Sequence, residues 1–122
     1  APGVTRMLTI CTTLPSLPKV QAISEAYPQV FQTFGVHPMS AAEHEPVTVD
    51  QLVDLSKHPK FVGIGETGLD YHYTAESAEV QKASLRVHCA AAAETGLPLI
   101  IHARAADEDM ARILAEAHAN AP

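Results

Sequence analysis

The sequence holds 122 residues, 47% hydrophobic and 18% charged, with a formal net charge of −6. That balance excludes a disordered chain and sets the scale at about one small domain with a modest core. It also excludes a basic nucleic-acid coat, although not an enzyme acting on nucleic acid, because bound divalent cations supply positive charge locally.

Residues 4–12 read as a strand, a short run of β-branched and apolar side chains. Ser16 is placed to cap a helix that runs to Tyr27, with Val20, Ile23 and Tyr27 on one face and Pro28 closing it. Residues 30–36 form a second strand ending at His37-Pro38. Thr48 and Gln51 match a capping box, and Val47 with Leu52 a hydrophobic staple, so a helix starts there and stops before Pro59. Residues 61–65 form a third strand, whose glycines allow a neighbouring backbone or a ligand to come close. A long helix covers about 77–94, with Val80, Ala83, Val87 and Ala91 along one side, Gly96 as its stop and Pro98 as a second. Residues 98–102 are a fourth strand, continuously apolar as in a strand buried on both faces. The last helix, about 107–119, shows Met110, Ile113, Leu114 and Ala117 on one face.

The predicted class is therefore α/β, with four consecutive βα units joined by right-handed crossovers. At about 30 residues per unit this is the rhythm of a (β/α)8 barrel, which takes ~250 residues, so residues 1–122 amount to about half of one. A complete small open sheet of doubly wound type has the same rhythm and stays open as the alternative.

Three successive strand ends present polar side chains: His37, Glu66 and His102, with Arg104 two residues beyond the last. Strand ends facing a loop are where α/β proteins build their sites. Imidazole and carboxylate converging on one rim suit a metal-assisted hydrolase. Each residue also has an ordinary reading: a turn-stabilising Glu66, a core histidine at His102, a surface ion pair at Arg104.

The segments Gly35-Val36-His37-Pro38, Gly65-Glu66-Thr67-Gly68-Leu69-Asp70-Tyr71 and Leu97-Pro98-Leu99-Ile100-Ile101-His102-Ala103-Arg104 resemble the internal signatures of the TatD-type metal-dependent deoxyribonucleases, and Gln81 fits as well. The resemblance runs over nearly the whole chain. It implies a (β/α)8 barrel of the amidohydrolase kind that hydrolyses phosphodiester bonds of DNA with two divalent metal ions, the choice among Zn, Mg and Mn being open. Carried over residue by residue, Glu66 matches the catalytic carboxylate that bridges the metals, and His102 matches a histidine ligand. His37 and Arg104 match positions near the scissile phosphate. Asp70 is placed either to orient a ligand histidine or to tie the turn to the next element.

The family's His-x-His pair belongs to a strand before the first one here, and a further histidine and an aspartate belong to strands after the last. The chain thus corresponds to strands two to five of the parent barrel and carries part of a metal site. Leu85 and His88 stand where the family tends to carry Phe and Gln. With Glu66 and His102 as its two confident ligands, against the three a catalytic metal needs, the chain alone is expected to bind metal weakly and to be inactive. The alternatives are a natural half-barrel serving binding or assembly without catalysis, and a related amidohydrolase acting on an ester or amide.

The remaining expectations are plainer. Cys11 and Cys89 are too far apart in sequence to read as a disulfide framework or zinc ribbon, and are expected as buried thiols in a reducing compartment. His44, His58, His88 and His118 are read as solvated or structural. Tyr71, His72 and Tyr73 form an aromatic loop able either to stack on a base or to pack on the rim. No apolar run reaches the ~18 residues of a membrane span, and the start lacks a signal peptide's pattern, so no membrane and a cytoplasmic location are expected. DNA is the expected substrate partner. Two raw edges of a half-barrel predict self-association.

Overall fold

The computed structural model describes residues 6–43, 45–72 and 75–120. Val4 and Thr5 of the predicted first strand, His44, and Tyr73 of the aromatic loop lie outside the described residues. The elements are β1 (Met7–Cys11), α1 (Leu17–Ala26), β2 (Val30–Phe34), α2 (Val49–Leu55), β3 (Phe61–Asp70), α3 (Ala78–Thr95), β4 (Leu99–Arg104) and α4 (Asp107–Asn120). Single 3-10 turns occupy Leu14–Ser16, Pro38–Ser40 and Ala75–Ser77.

The four strands are parallel and lie in the order β1-β2-β3-β4. Each strand is beside its sequence neighbour, so every crossover steps the same way. A doubly wound sheet reverses that order at a switch point; this sheet has no such reversal and is half of a β/α barrel. β1 and β4 are the sheet's edges, and Met7, Leu8 and Ile10 of β1 and Ile101 of β4 are exposed apolar side chains. Among the described residues no helix is long and apolar enough to cross a membrane.

Two apolar clusters hold the helices to the sheet. One gathers Leu17, Phe34, Val36, Val47, Leu52, Phe61 and Ile64 beneath α1 and α2. The other gathers Leu69, Leu85, Cys89, Met110 and Ile113 between β3, α3 and α4. Cys11 and Cys89 are buried free thiols, one in each cluster.

Local chemistry sets most boundaries. The capping box of α2 is complete: Gln51 N–H donates to Thr48 Oγ1 at 3.1 Å, and Thr48 N–H donates to Gln51 Oε1 at 2.9 Å. Val47 and Leu52 are both buried in the same core cluster, in keeping with the staple. Gly96 ends α3 in the left-handed region at φ 74°.

Several expectations need correction, among them the burial of the fourth strand: β4 lies at the sheet's edge with its residues half-buried or exposed and is not covered on both faces. Ser16 holds the N-cap position of α1 as expected but makes no capping bond with its side chain; its hydroxyl donates instead to Thr13 O at 3.1 Å, and Pro18 stands in the first turn of the helix. The buried face of α1 is Leu17 and Ser24 rather than Ile23 and Tyr27, because Ser24 turns inward to bond Gln32 Oε1 on β2. The expected apolar side of α3 holds in part: Ala91 is buried and Val87 packs against the core, but Val80 is exposed, and Gln81, Leu85, His88 and Cys89 are buried as well; apolar spacing misses a face on which polar groups are buried with partners. Finally, β3 does not end at residue 65 but continues to Asp70.

Candidate metal centre

Because β3 runs on, Glu66 sits within a strand and not at its end. The β3–β4 register pairs Gly65 with Ile100 and Thr67 with Ile101, leaving Glu66 as an extra residue between them. A bulge of this kind re-aims a side chain, and it directs Glu66 to the same rim as His37 and His102. The glycines around it accept close backbone approach. A Cβ on Gly35 would run into the Gly65 backbone, and one on Gly68, which holds φ 147°, would overlap His102 O.

His37 leaves β2 ahead of Pro38 and caps the 3-10 turn that follows: Met39 N–H donates to His37 Nδ1 at 3.1 Å. With that lone pair engaged, the proton of the neutral ring is on Nε2, which lies 3.5 Å from Glu66 Oε1. Burial lowers the His37 pKa; Glu66 and, less strongly, Asp70 oppose this, whereas His102 adds to it. His37 is thereby arranged as a neutral N–H donor facing the carboxylate.

His102 is set in β4 opposite Gly68. Its Nε2 lies 2.9 Å from Asp70 Oδ2. Asp70 is 1% exposed and also accepts from His72 N–H through Oδ1 at 3.0 Å. An ionised carboxylate only accepts, so His102 donates from Nε2 and keeps the Nδ1 lone pair for a ligand. Carboxylate–histidine pairing of this kind orients metal-binding imidazoles. The Asp70 main chain is itself held by Gln81 on α3: Asp70 N–H donates to Gln81 Oε1 at 2.7 Å, and Gln81 Nε2 donates to Asp70 O at 3.1 Å. Asp70 is thus bonded through its side chain to the His102 ring and through its main chain to α3.

The His37 and His102 rings approach with centroids 4.7 Å apart at 51°. One ligand atom from each of His37, Glu66 and His102 lies within 4.8 Å of the other two. The donor chemistry suits a divalent ion: a carboxylate oxygen and an imidazole nitrogen whose tautomer is set by a buried acid. Glu66 and His102 fit as its ligands; His37, with Nδ1 already accepting and Nε2 protonated, fits a neighbouring donor better than a ligand. Arg104 is exposed at the end of β4, two residues past His102, and its carbonyl accepts from Tyr71 N–H at 3.0 Å.

Tyr71 packs rather than stacks: its hydroxyl donates to Asp109 Oδ2 on α4 at 2.7 Å. Burial and that bond raise its pKa to about 12. His58 is structural, linking Glu25 of α1 to the α2–β3 turn through bonds of 2.9 Å to Glu25 Oε1 and 3.1 Å from Lys60 N–H. His88 is fully buried, and its contacts were not foreseen from its place on a helix. The signal that marks it is the spacing to Gln81, seven residues or two turns earlier, which puts two polar side chains on one helix face.

A family model described as TatD related DNase matches residues 1–122. An uncharacterized metal-dependent hydrolase, YabD of Bacillus subtilis, is 36% identical over 121 residues, covering 99% of this chain and 48% of that protein. The 3'-5' ssDNA/RNA exonuclease TatD of Klebsiella pneumoniae is 32% identical over 114 residues, covering 93% of this chain and 43% of that protein. The crystal structure of YjjV, a TatD homolog from Escherichia coli K12, superposes with a TM-score of 0.84 at 27% identity, covering 94% of this chain and 45% of that one. The chain spans about half the length of the relatives it matches.

Proposed function

The chain belongs to the family of TatD-related DNases, and from that premise we propose that its His37–Glu66–His102 rim is part of the centre of a metal-dependent hydrolase that cleaves phosphodiester bonds of DNA. The observation that carries this reading is the 2.9 Å contact between His102 Nε2 and Asp70 Oδ2, which leaves Nδ1 available to a cation beside Glu66.

Bound divalent cations would polarise the phosphate and lower the pKa of water at the site. The chain's own residues supply the rest. Glu66 would hold a divalent cation through its carboxylate. His102 contributes one neutral nitrogen, its orientation maintained by Asp70. His37 presents its Nε2 proton beside Glu66, where a phosphate oxygen entering the site would take it in place of the carboxylate. Arg104 offers a planar guanidinium suited to the other oxygens. The name of the Klebsiella relative points to single-stranded nucleic acid, and single-stranded DNA is the substrate we assign.

Two protein ligands fall short of the three that hold a catalytic metal. The 122-residue chain alone is therefore a weak metal binder without substantial nuclease activity, and the remaining donors are assigned to other strands of a longer barrel. The test is hydrolysis of a labelled single-stranded DNA oligonucleotide by the protein at the full length its gene encodes, with Mg²⁺, Mn²⁺ or Zn²⁺. Cleavage that is lost in Glu66→Gln and His102→Ala is the expected result. No cleavage with any of the three metals, or full activity in Glu66→Gln, contradicts the reading.

A further inference from the structure

Both ring nitrogens of the fully buried His88 are engaged, and the bonds lead toward the site. Val36 N–H donates to His88 Nε2 at 2.9 Å. His88 Nδ1 lies 2.7 Å from Ser84 O, and a carbonyl only accepts, so Nδ1 carries the proton and Nε2 the lone pair. One neutral tautomer is thereby held between α3 and the end of β2. Burial keeps it neutral by lowering its pKa, against the opposing effect of the Ser84 bond.

Val36 marks the point where β2 leaves the sheet. Gly35 N–H still bonds to Cys11 O on β1, at 3.1 Å. The next amide, that of Val36, turns to α3 instead. The one after belongs to His37, whose ring then caps its own 3-10 turn through Met39 N–H. The path of the chain through His37 is set on one side by His88 and on the other by that cap. Gln81 makes the corresponding bonds to Asp70 from the same face of α3, so one helix holds the ends of both strands that flank the rim.

We propose that His88 is a positioning residue: by accepting the Val36 amide it fixes where His37 presents its Nε2 proton to Glu66. The functional consequence rests on the hydrolase reading above; the geometric claim does not. If His88 only filled space, an apolar side chain of similar volume would replace it.

Three variants separate these possibilities. His88→Gln keeps an acceptor long enough for Val36 and a donor for Ser84. His88→Leu keeps the volume without the acceptor. His88→Asn keeps an amide that is too short to reach. In the chain itself, hydrogen exchange at the Val36 amide and the ring-nitrogen shifts of His37 report the geometry without requiring activity. Exchange at Val36 is expected to rise roughly tenfold or more in His88→Leu and His88→Asn, with loss of the single Nε2–H tautomer of His37, and both readouts are expected to return in His88→Gln. Should His88→Leu fail to fold, the Asn and Gln pair carries the comparison. In the full-length protein, kcat on single-stranded DNA is expected to fall ~10–100-fold in His88→Asn and to recover in His88→Gln. An unchanged Val36 amide and His37 tautomer in His88→Leu and His88→Asn, or equal disruption by His88→Gln, would overturn the proposal. The expected exchange pattern without hydrolysis by the wild type would refute the proposed function and leave the positioning role standing.

Discussion

Asp70 Oδ2 lies 2.9 Å from His102 Nε2, joining the far end of β3 to the middle of β4 through a carboxylate that is 1% exposed. That one bond decides which nitrogen of His102 faces the rim. Replacing Asp70 with Asn keeps the shape but weakens the acceptor and allows the ring to choose the other tautomer. The affinity of the full-length protein for Mn²⁺ is expected to drop ~10–100-fold in Asp70→Asn, as measured by calorimetric titration. Unchanged affinity would show that Asp70 has no hold on a ligand.

Gly68 faces His102 O across the ladder with φ 147°, and a Cβ there would overlap that oxygen. The obstacle is backbone, which cannot swing aside. Gly68→Ala is expected to lower unfolding stability by at least ~2 kcal/mol in urea melts, from strain and the parting of β3 from β4. A wild-type melting profile would mean that the strands meet differently.

His88 makes stability depend on pH in a defined direction. Its folded pKa is lowered below 6.5 by burial, so below pH 6.5 the unfolded chain binds more protons than the folded one at this site. Its contribution is complete above the unfolded pKa and is lost as pH falls toward the folded value. The urea midpoint is expected to decline between pH 7 and pH 5, and His88→Gln to flatten that decline. His37 carries the same sign, so the slope diminishes without vanishing. An equally steep decline in His88→Gln would contradict a buried neutral His88.

The edge strands β1 and β4 expose Met7, Leu8, Ile10 and Ile101. Parallel strand edges with apolar side chains pair with whatever strand is offered. The 122-residue chain produced by itself is expected to associate, and sedimentation velocity measures this. A single well-folded species at the monomer mass of 13.0 kDa would show that the edges protect themselves.

Much of the fold was legible because the βα alternation is written in local chemistry. The capping box at Thr48 and Gln51 and the stop at Gly96 behave as short-range rules require. The rim was legible for a related reason: His37, Glu66 and His102 each follow an apolar strand run. What was not legible depends on partners distant in sequence. β3 continues past its glycines because Gly68 and Asp70 pair with His102 and Arg104 on a strand more than thirty residues away. The bulge at Glu66 is a property of that pairing and has no local signature. The polar inner face of α3 was missed because hydrophobic periodicity follows apolar side chains alone, whereas Gln81 finds a backbone partner at the end of β3 and His88 one just past the end of β2.

The most direct test of the central claim is where a divalent ion sits. Anomalous diffraction from crystals of the full-length protein grown with Zn²⁺ or Mn²⁺ locates it. The account predicts an ion within ~2.0–2.3 Å of a Glu66 carboxylate oxygen and of His102 Nδ1, with Asp70 still bonded to His102 Nε2 and His37 outside the coordination sphere. An ion bound through His102 Nε2 with Asp70 displaced, or one that leaves Glu66 and His102 unligated, would contradict it.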